Sequence, residues 1–336
     1  MPDSNKKLDT IKDFKSSDVK ENTAIHVAPS PHIRDTKANT QKMMIDVLIA
    51  LTPVVLVSVY LFRAYAVKQL LICLVSCLIA EYVFVRMRGR SMTLKDCSAG
   101  VTGIILALSL PGSAPWFVGV IASVVAMGIG KIIFGGLGMN IFNPAMVGRA
   151  FVMIAFAGLM SAGSYENITG LVDAVSGATP LSAMKFNNTS VEFSHLFFGN
   201  TNGSIGETSS AACIIGGLFL VFKKTASWQI PVSIVLTVLA IAGITDVAKA
   251  GSGLFIVHHL FSGALMFGAF FIATDPVTSP LTSKGKWIFG FGTGMLIMII
   301  RLFSGYPEGV MFAVLMMNAV TPLINRWTNP QPMGEA

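Results

Sequence analysis

Leu110-Pro111-Gly112-Ser113-Ala114-Pro115 and Thr274-Asp275-Pro276-Val277-Thr278-Ser279-Pro280 each cut short a long apolar run, one in each half of the chain. Around them the halves match. Gly103 and Gly268, Pro111 and Pro276, and Pro115 and Pro280 share an offset of 165. Trp116 with Trp287 and Gly119 with Gly290 follow at 171, and Phe142 with Phe312 at 170. The flanking sequence forms ten apolar windows, near 44–62, 68–85, 97–110, 116–134, 147–162, 210–222, 228–245, 254–273, 287–304 and 307–325. A bilayer core needs roughly 20 apolar residues per helix. Ten windows divide into two sets of five, and an odd number of spans per set makes the halves point in opposite directions. Inverted repeats of this kind build a site near the midplane from interrupted helices. The expected fold is an all-α integral membrane protein of about ten transmembrane helices, in two inverted five-helix repeats with broken helices near the midplane.

Composition agrees. Of 336 residues 53% are hydrophobic and 12% charged, mean hydropathy is +0.69, and a soluble domain carries about 25% charged residues. A membrane β-barrel is excluded because its strands alternate apolar and polar residues over about 10 positions. The net charge of +7 does not point to nucleic acid, since it follows membrane topology. With residues 1–42 cytoplasmic, 19 of the 24 Lys and Arg fall inside and 5 outside, and without that tail the split is 11 to 5. The positive-inside rule then sets ten spans with both termini cytoplasmic. The expected parts are a mostly disordered tail at 1–42, repeats at 43–162 and 210–326, an extracytoplasmic loop at 163–209 and a cytoplasmic tail at 327–336. A polar, lysine-rich start argues against a cleavable signal peptide.

Cys73, Cys77, Cys97 and Cys213 lie in or at the ends of apolar windows without a CxxC pair. They read as buried thiols rather than metal or cluster ligands. His258 and His259 are adjacent, point to different helix faces, and are assigned no metal. Ionisable groups at membrane depth are functional candidates by default. Asp275, inside the second interruption, ranks first as an ion-pathway residue, and Glu308 at the start of the tenth span ranks second. The alternative role for Glu308 is to favour a helix N-terminus electrostatically. Asp46 and Glu81 lie near predicted membrane boundaries and are expected at the interface.

The outer loop contains Asp173-Ala174-Val175-Ser176-Gly177-Ala178-Thr179-Pro180-Leu181. Thr179 before Pro180 has the form of a cap and first-turn residue. It also has the form of an acceptor, because a hydroxyl flanked by Gly and Ala leaves room for a modifying enzyme. The segment resembles the flavinylation motif D-x-x-S/T-G-A-T, in which a flavin transferase joins FMN to the threonine through a phosphoester. Three further stretches, Ser30-Pro31-His32-Ile33-Arg34, Gly136-Leu137-Gly138-Met139-Asn140-Ile141-Phe142-Asn143-Pro144-Ala145 and Tyr306-Pro307-Glu308-Gly309-Val310-Met311-Phe312-Ala313, join the Thr274–Pro280 break in resembling one family. It is that of the D subunits of the Rnf ion-translocating electron-transport complexes, and the resemblance spans about 30–326. Its sister family comprises the B subunits of the sodium-translocating NADH:quinone reductases, which usually have a longer N-terminal region.

The resemblance implies a redox protein with covalent FMN on Thr179, and with Asp173, Ser176, Gly177 and Ala178 recognised by the transferase. It also implies a second, non-covalent flavin, riboflavin, near Asn140 and Asn143. A side-chain amide offers both a donor and an acceptor to an isoalloxazine edge, although Asn143 before Pro144 also suits a helix cap. The implied partners are the other members of the complex, including a second covalent-FMN subunit and iron–sulfur subunits, together with a flavin transferase and membrane lipid. The implied setting is a prokaryotic cell membrane, and the implied activity is ferredoxin:NAD oxidation–reduction coupled to Na⁺ or H⁺ export. A non-redox channel or transporter of inverted-repeat fold is the rival from another class.

Overall fold

The computed structural model describes residues 40–89, 93–160, 164–165, 175–176, 179–187, 191–199, 201–248 and 254–329. The tail up to residue 39 lies outside them, as do Asp173, Gly177 and Ala178 of the acceptor motif.

The first half contains α1 (Thr40–Phe62), α2 (Ala64–Met87), α3 (Ser98–Ser109), α4 (Trp116–Met127, continued by a π turn at Gly128–Ile132) and α5 (Pro144–Ala155). A short α6 (Ala157–Met160), a two-residue antiparallel pair β1 (Ser164–Tyr165) and β2 (Val175–Ser176), α7 (Pro180–Asn187) and α8 (Phe193–Phe198) form the connection. The second half contains α9 (Ser210–Phe222), α10 (Gln229–Ala248), α11 (Leu254–Phe261), α12 (Leu265–Phe267, continued by a π turn at Gly268–Ile272), α13 (Ser283–Phe303) and α14 (Val310–Thr328).

Five of these helices, α1, α2, α10, α13 and α14, are long and apolar enough to cross a membrane. The α11–α12 pair, bent by 49°, makes a sixth, and the shorter apolar helices α3, α4, α5 and α9 occupy the other four predicted windows. Large apolar side chains such as Leu71, Ile79, Ile215 and Ile244 are more than half exposed, the surface expected of a chain whose solvent is lipid. The protein is a multi-pass, all-α membrane protein.

The halves repeat one packing scheme. The second span packs on the third and fourth, α2 on α3 and α4 and α10 on α11 and α13, and the fourth packs on the fifth, α4 on α5 and α13 on α14. Across the halves α1 meets α9, and α5 meets α14. Small residues make these approaches possible where lipid supplies no hydrophobic drive between helices. Gly290 and Gly294 of α13 face Ile230, Ser233, Ile234 and Thr237 of α10, so that a Cβ on either would fall 2.6–3.2 Å from its neighbours. Gly216 is the tightest joint between the halves, closing on the Ala50 carbonyl of α1 and the Phe271 ring. Gly216→Val should therefore cost about 1–3 kcal/mol by overpacking, read as a lower melting temperature in detergent.

Interruption has a local cause in each half. In the first, α3 is only 12 residues long, about 18 Å by the helical rise, before Pro111 ends it. Its open end is completed from far along the chain, since Ile205 N donates to Leu110 O (3.1 Å) and Gly206 N to Leu108 O (2.7 Å). The end of the long loop is thus core, with Ser204, Ile205, Glu207, Thr208 and Ser209 buried. In the second half Asp275 holds the break, accepting from Val277 N (3.3 Å) and Thr278 Oγ1 (3.1 Å).

Candidate functional site

Two cavities lie at places exchanged by the repeat. The first adjoins Asn143 and Pro144, at the start of the first half's fifth span, and Asp275 and Pro276, after the second half's third span. The second adjoins Pro307 and Glu308, at the start of the second half's fifth span, and Pro111, after the first half's third span. Helix α5 connects them. It starts at the first cavity, while its Arg149 and Met153 line the second. Six residues of helix separate Asn143 from Arg149, about 9 Å along the axis.

The first cavity, about 70 Å³, gathers three residues singled out from sequence, Asn140, Asn143 and Asp275, together with Lys131, Met43, Met44 and Leu137. The two asparagines differ. Asn143 caps α5, its Oδ1 accepting from Ala145 N (3.1 Å) and Met146 N (3.4 Å) while its Nδ2 donates to Ile272 O (3.3 Å). Its amide is therefore used at both ends. Asn140 donates to Phe142 O (3.2 Å), but its buried Oδ1 has no hydrogen-bond partner, which leaves an acceptor for a ligand donor. Asn143→Ala should lower stability by about 1 kcal/mol through loss of the cap, measured as a fall in melting temperature.

Lys131 is buried, with its Nζ 2.5 Å from Glu81 Oε1 and donating to Ser98 Oγ at 2.5 Å. Thr93 Oγ1 also donates to Glu81 Oε1 (2.8 Å). Glu81, expected near a membrane boundary, is thus buried within the protein and paired. Gln69, Cys73, Cys77 and Glu81 recur every four residues and are all buried, so they form the stripe by which α2 packs inward. That spacing is the signal the sequence holds for it. Cys73, Cys77 and Cys213 are buried free thiols.

The second cavity, about 280 Å³, is lined by Thr179, Ser182, Phe186, Arg149, Glu207, Tyr306 and Glu308 among others. Thr179 directly precedes α7. Its Oγ1 lies 2.8 Å from Ser182 Oγ and accepts from Ser182 N (3.3 Å), and its carbonyl accepts from Ala183 N (2.8 Å). Lys185, further along the helix, donates to Ser304 O (2.5 Å) and Tyr306 O (3.1 Å), tying α7 to the end of α13. Desolvation pushes that ammonium below its usual range.

Beneath Thr179 one guanidinium serves two carboxylates. Arg149 Nη1 is 2.9 Å from Glu207 Oε1, at an angle that makes an ion pair rather than a directed hydrogen bond. Its Nη2 lies 3.2 Å from Glu308 Oε2 and 3.3 Å from Ser204 Oγ. Glu308, ranked from sequence as an ion-pathway candidate, therefore sits with Thr179 and apart from the cavity holding Asp275. Sequence reasoning does not single out Arg149 or Glu207. Arg149 counts there toward cytoplasmic charge, although it lies inside an apolar window, and that is the clue. Glu207 sits among Ser, Thr and Gly and carries no sequence signal. Arg149, Lys131 and Arg301 are buried and do not report topology. Without them the split outside the tail is nine to four.

Comparison with known proteins follows the same lines. Residues 26–334 match the family described as NQR2, RnfD, RnfE. The chain is 41% identical over 322 residues to the D subunit of the proton-translocating ferredoxin:NAD(+) oxidoreductase complex of Clostridium ljungdahlii, covering 92% of this chain and 96% of that one. It is 42% identical over 312 residues to the D subunit of the Na(+)-translocating counterpart from Acetobacterium woodii, covering 92% and 95%. The D subunit of an ion-translocating oxidoreductase complex from Escherichia coli is 36% identical over 348 residues, covering 92% and 98%. The chain belongs to the NQR2, RnfD, RnfE family.

Proposed function

We propose that this protein is the D subunit of an ion-translocating ferredoxin:NAD⁺ oxidoreductase complex, a membrane flavoprotein that passes electrons between a covalent FMN on Thr179 and a non-covalent riboflavin, coupled to Na⁺ or H⁺ export. The observation that carries this reading is the exchanged pair of cavities, one opening on Thr179 and the other on Asn140, joined by α5. Relatives named for proton and for sodium translocation are similar to this chain to the same degree, so similarity leaves the ion open.

The residues present fit the two groups. Thr179 offers a hydroxyl just before α7, where the helix dipole favours a phosphoester's negative charge. Asn140 offers an unpaired buried carbonyl to a ring N–H. A three-ring system exceeds the smaller cavity as it stands, and Met43 and Met44 in its lining are flexible, adaptable side chains. When bound, the flavins supply the electron chemistry, and the protein supplies position and electrostatics. Two electrons falling about 100 mV release roughly 4.6 kcal/mol, while one ion moved against 100 mV takes about 2.3 kcal/mol. One or two ions per electron pair are therefore within range. The orientation in a prokaryotic cell membrane, with both termini cytoplasmic and Thr179 outside, follows the distribution of unburied Lys and Arg.

The test is the flavin content of the purified complex, divided into acid-extractable and protein-bound fractions. Asn140→Leu should remove the extractable flavin and leave the bound fraction, whereas Asn143→Ala should keep both. Loss of neither fraction in Asn140→Leu would overturn the assignment of the smaller cavity.

A further inference from the structure

Glu207 and Glu308 meet on one guanidinium. Arg149 reaches Glu207 through Nη1 and Glu308 through Nη2, and the two carboxyl groups lie close enough for one to hydrogen-bond the other. Such a bond needs a donor, and an ionised carboxylate has none, so it forms only when one of the two carries a proton. Each group is held by its own piece of backbone. Glu207 belongs to the segment hydrogen-bonded to the end of α3. Glu308 rests against Gly263, whose φ of +68° and missing side chain leave room for the carboxylate, since a Cβ there would fall 2.9 Å from Glu308 Oε1. Two like charges fixed so closely are relieved by binding a proton, as in other carboxyl pairs that share a site.

The other ionisable groups around the pair come from several elements. Arg149 stands on α5, and Arg301 on α13 lies within electrostatic reach of both carboxylates while donating to His259 O (2.6 Å) and Ser262 O (3.3 Å). The thiol of Cys213, on α9, feels Glu207 and donates to Gly206 O (3.6 Å), and Tyr306 lines the cavity beside Glu308. Among the described residues no other ionisable side chain lines it. Two guanidiniums favour ionised carboxylates, but at Glu207 burial and the neighbouring Glu308 outweigh them, and its carboxyl is pushed up to about 8. The hydrogen bonding agrees with this. Glu207 Oε1 is buried without a hydrogen-bond partner, and so is Oδ1 of Asn202, which lines a second, smaller space shared with Thr179, Glu207 and Glu308. Buried acceptors without donors are what an added proton serves.

We propose that Glu207 and Glu308 form a proton-binding site, a carboxyl pair on Arg149 that carries one shared proton and exchanges it with the cavity under Thr179. Glu308 is the outward end of the pair, its side chain 19% exposed against 2% for Glu207, and a cavity of about 280 Å³ has room for the water that takes the proton. Loss of the proton changes the pair from one negative charge to two. A negative charge carried on Thr179 opposes that loss by like-charge proximity, so the site senses what the acceptor bears. This last link rests on the assignment of Thr179 as the flavin acceptor, whereas the pair itself does not.

The experiment is infrared spectroscopy of the purified complex across pH, following the C=O band of a protonated carboxyl, which a carboxylate lacks. Thr179→Val, which takes no flavin, should lose one such band with a midpoint of about 8. In that background Glu207→Gln should abolish the band. Glu308→Gln leaves Glu207 with its guanidinium and without its rival, and should move the midpoint down by about one pH unit, a tenfold weaker hold on the proton. Absence of a band titrating in this range, or a midpoint unmoved by Glu308→Gln, would overturn the proposal. Glu308, the more exposed carboxyl, tolerates neutralisation best and decides the matter if Glu207→Gln fails to assemble. Flavin-loaded wild type should keep its proton to a pH about one unit above Thr179→Val, with flavin fluorescence in a denaturing gel read on the same samples. A bright wild-type band with equal midpoints would overturn the link to Thr179, and a dark one would count against the acceptor assignment alone.

Discussion

Replacing Thr179 with valine should abolish protein-bound flavin and leave the membrane fold in place. Valine matches threonine in shape but offers no oxygen for a phosphoester, so the fluorescent band that survives denaturation should disappear completely. The structural cost is small. Valine also removes the contacts with Ser182, a cap worth about 1 kcal/mol, while Lys185 still ties α7 to Ser304 and Tyr306. The measurement is in-gel flavin fluorescence after co-expression with a flavin transferase, beside the melting temperature in detergent. A dark wild-type band, with the transferase active on a control acceptor, would sink the flavin reading and promote the transporter alternative. Loading has a further consequence, since the phosphoester charge at the start of α7 should stabilise that helix by about 0.3–1 kcal/mol. The flavin-loaded protein should therefore melt slightly above the unloaded one.

Arg149→Met should be the most damaging single change in the membrane region. It removes the partner of the buried Glu207 and of the partly buried Glu308, and breaking a buried pair in this way costs about 3–5 kcal/mol because a charge is left uncompensated. Loss of folded protein from the membrane fraction is the expected readout. The triple change Arg149→Met with Glu207→Gln and Glu308→Gln should restore much of the yield, since neither carboxylate is then left without its guanidinium. Equal yields for the single and triple variants would show that the ion pairs contribute no specific stability.

Much of the fold was legible because lipid imposes a simple rule on sequence. Every span must be apolar and long enough, or visibly broken, so ten windows and two proline interruptions could be read directly. The matched positions of Gly103 and Gly268, or Pro111 and Pro276, announced the repeat because small residues and prolines have few substitutes where helices touch or stop. Asn143 was legible for a similar reason, since the Asn-Pro pair is local capping chemistry.

The charges were not legible in the same way. Glu81 looked interfacial, Arg149 looked cytoplasmic, and Glu207 looked like part of a polar loop. Each finds its partner 50 or more residues away, in Lys131, Glu207 and Arg149 respectively. Local pattern cannot anticipate such pairs, because a buried charge is made tolerable by a partner that only the closed fold brings near. The sequence by itself determined that this is a membrane protein of many spans with matched breaks in its two halves, and it singled out Thr179 and the Asn140–Asn143 segment as candidates. Only the tertiary structure decided that Thr179 shares a cavity with Arg149, Glu207 and Glu308, and that Asn140 rather than Asn143 keeps a free acceptor. The reason is that secondary structure and membrane insertion depend on neighbours in sequence, whereas the environment of a buried polar group depends on neighbours in space.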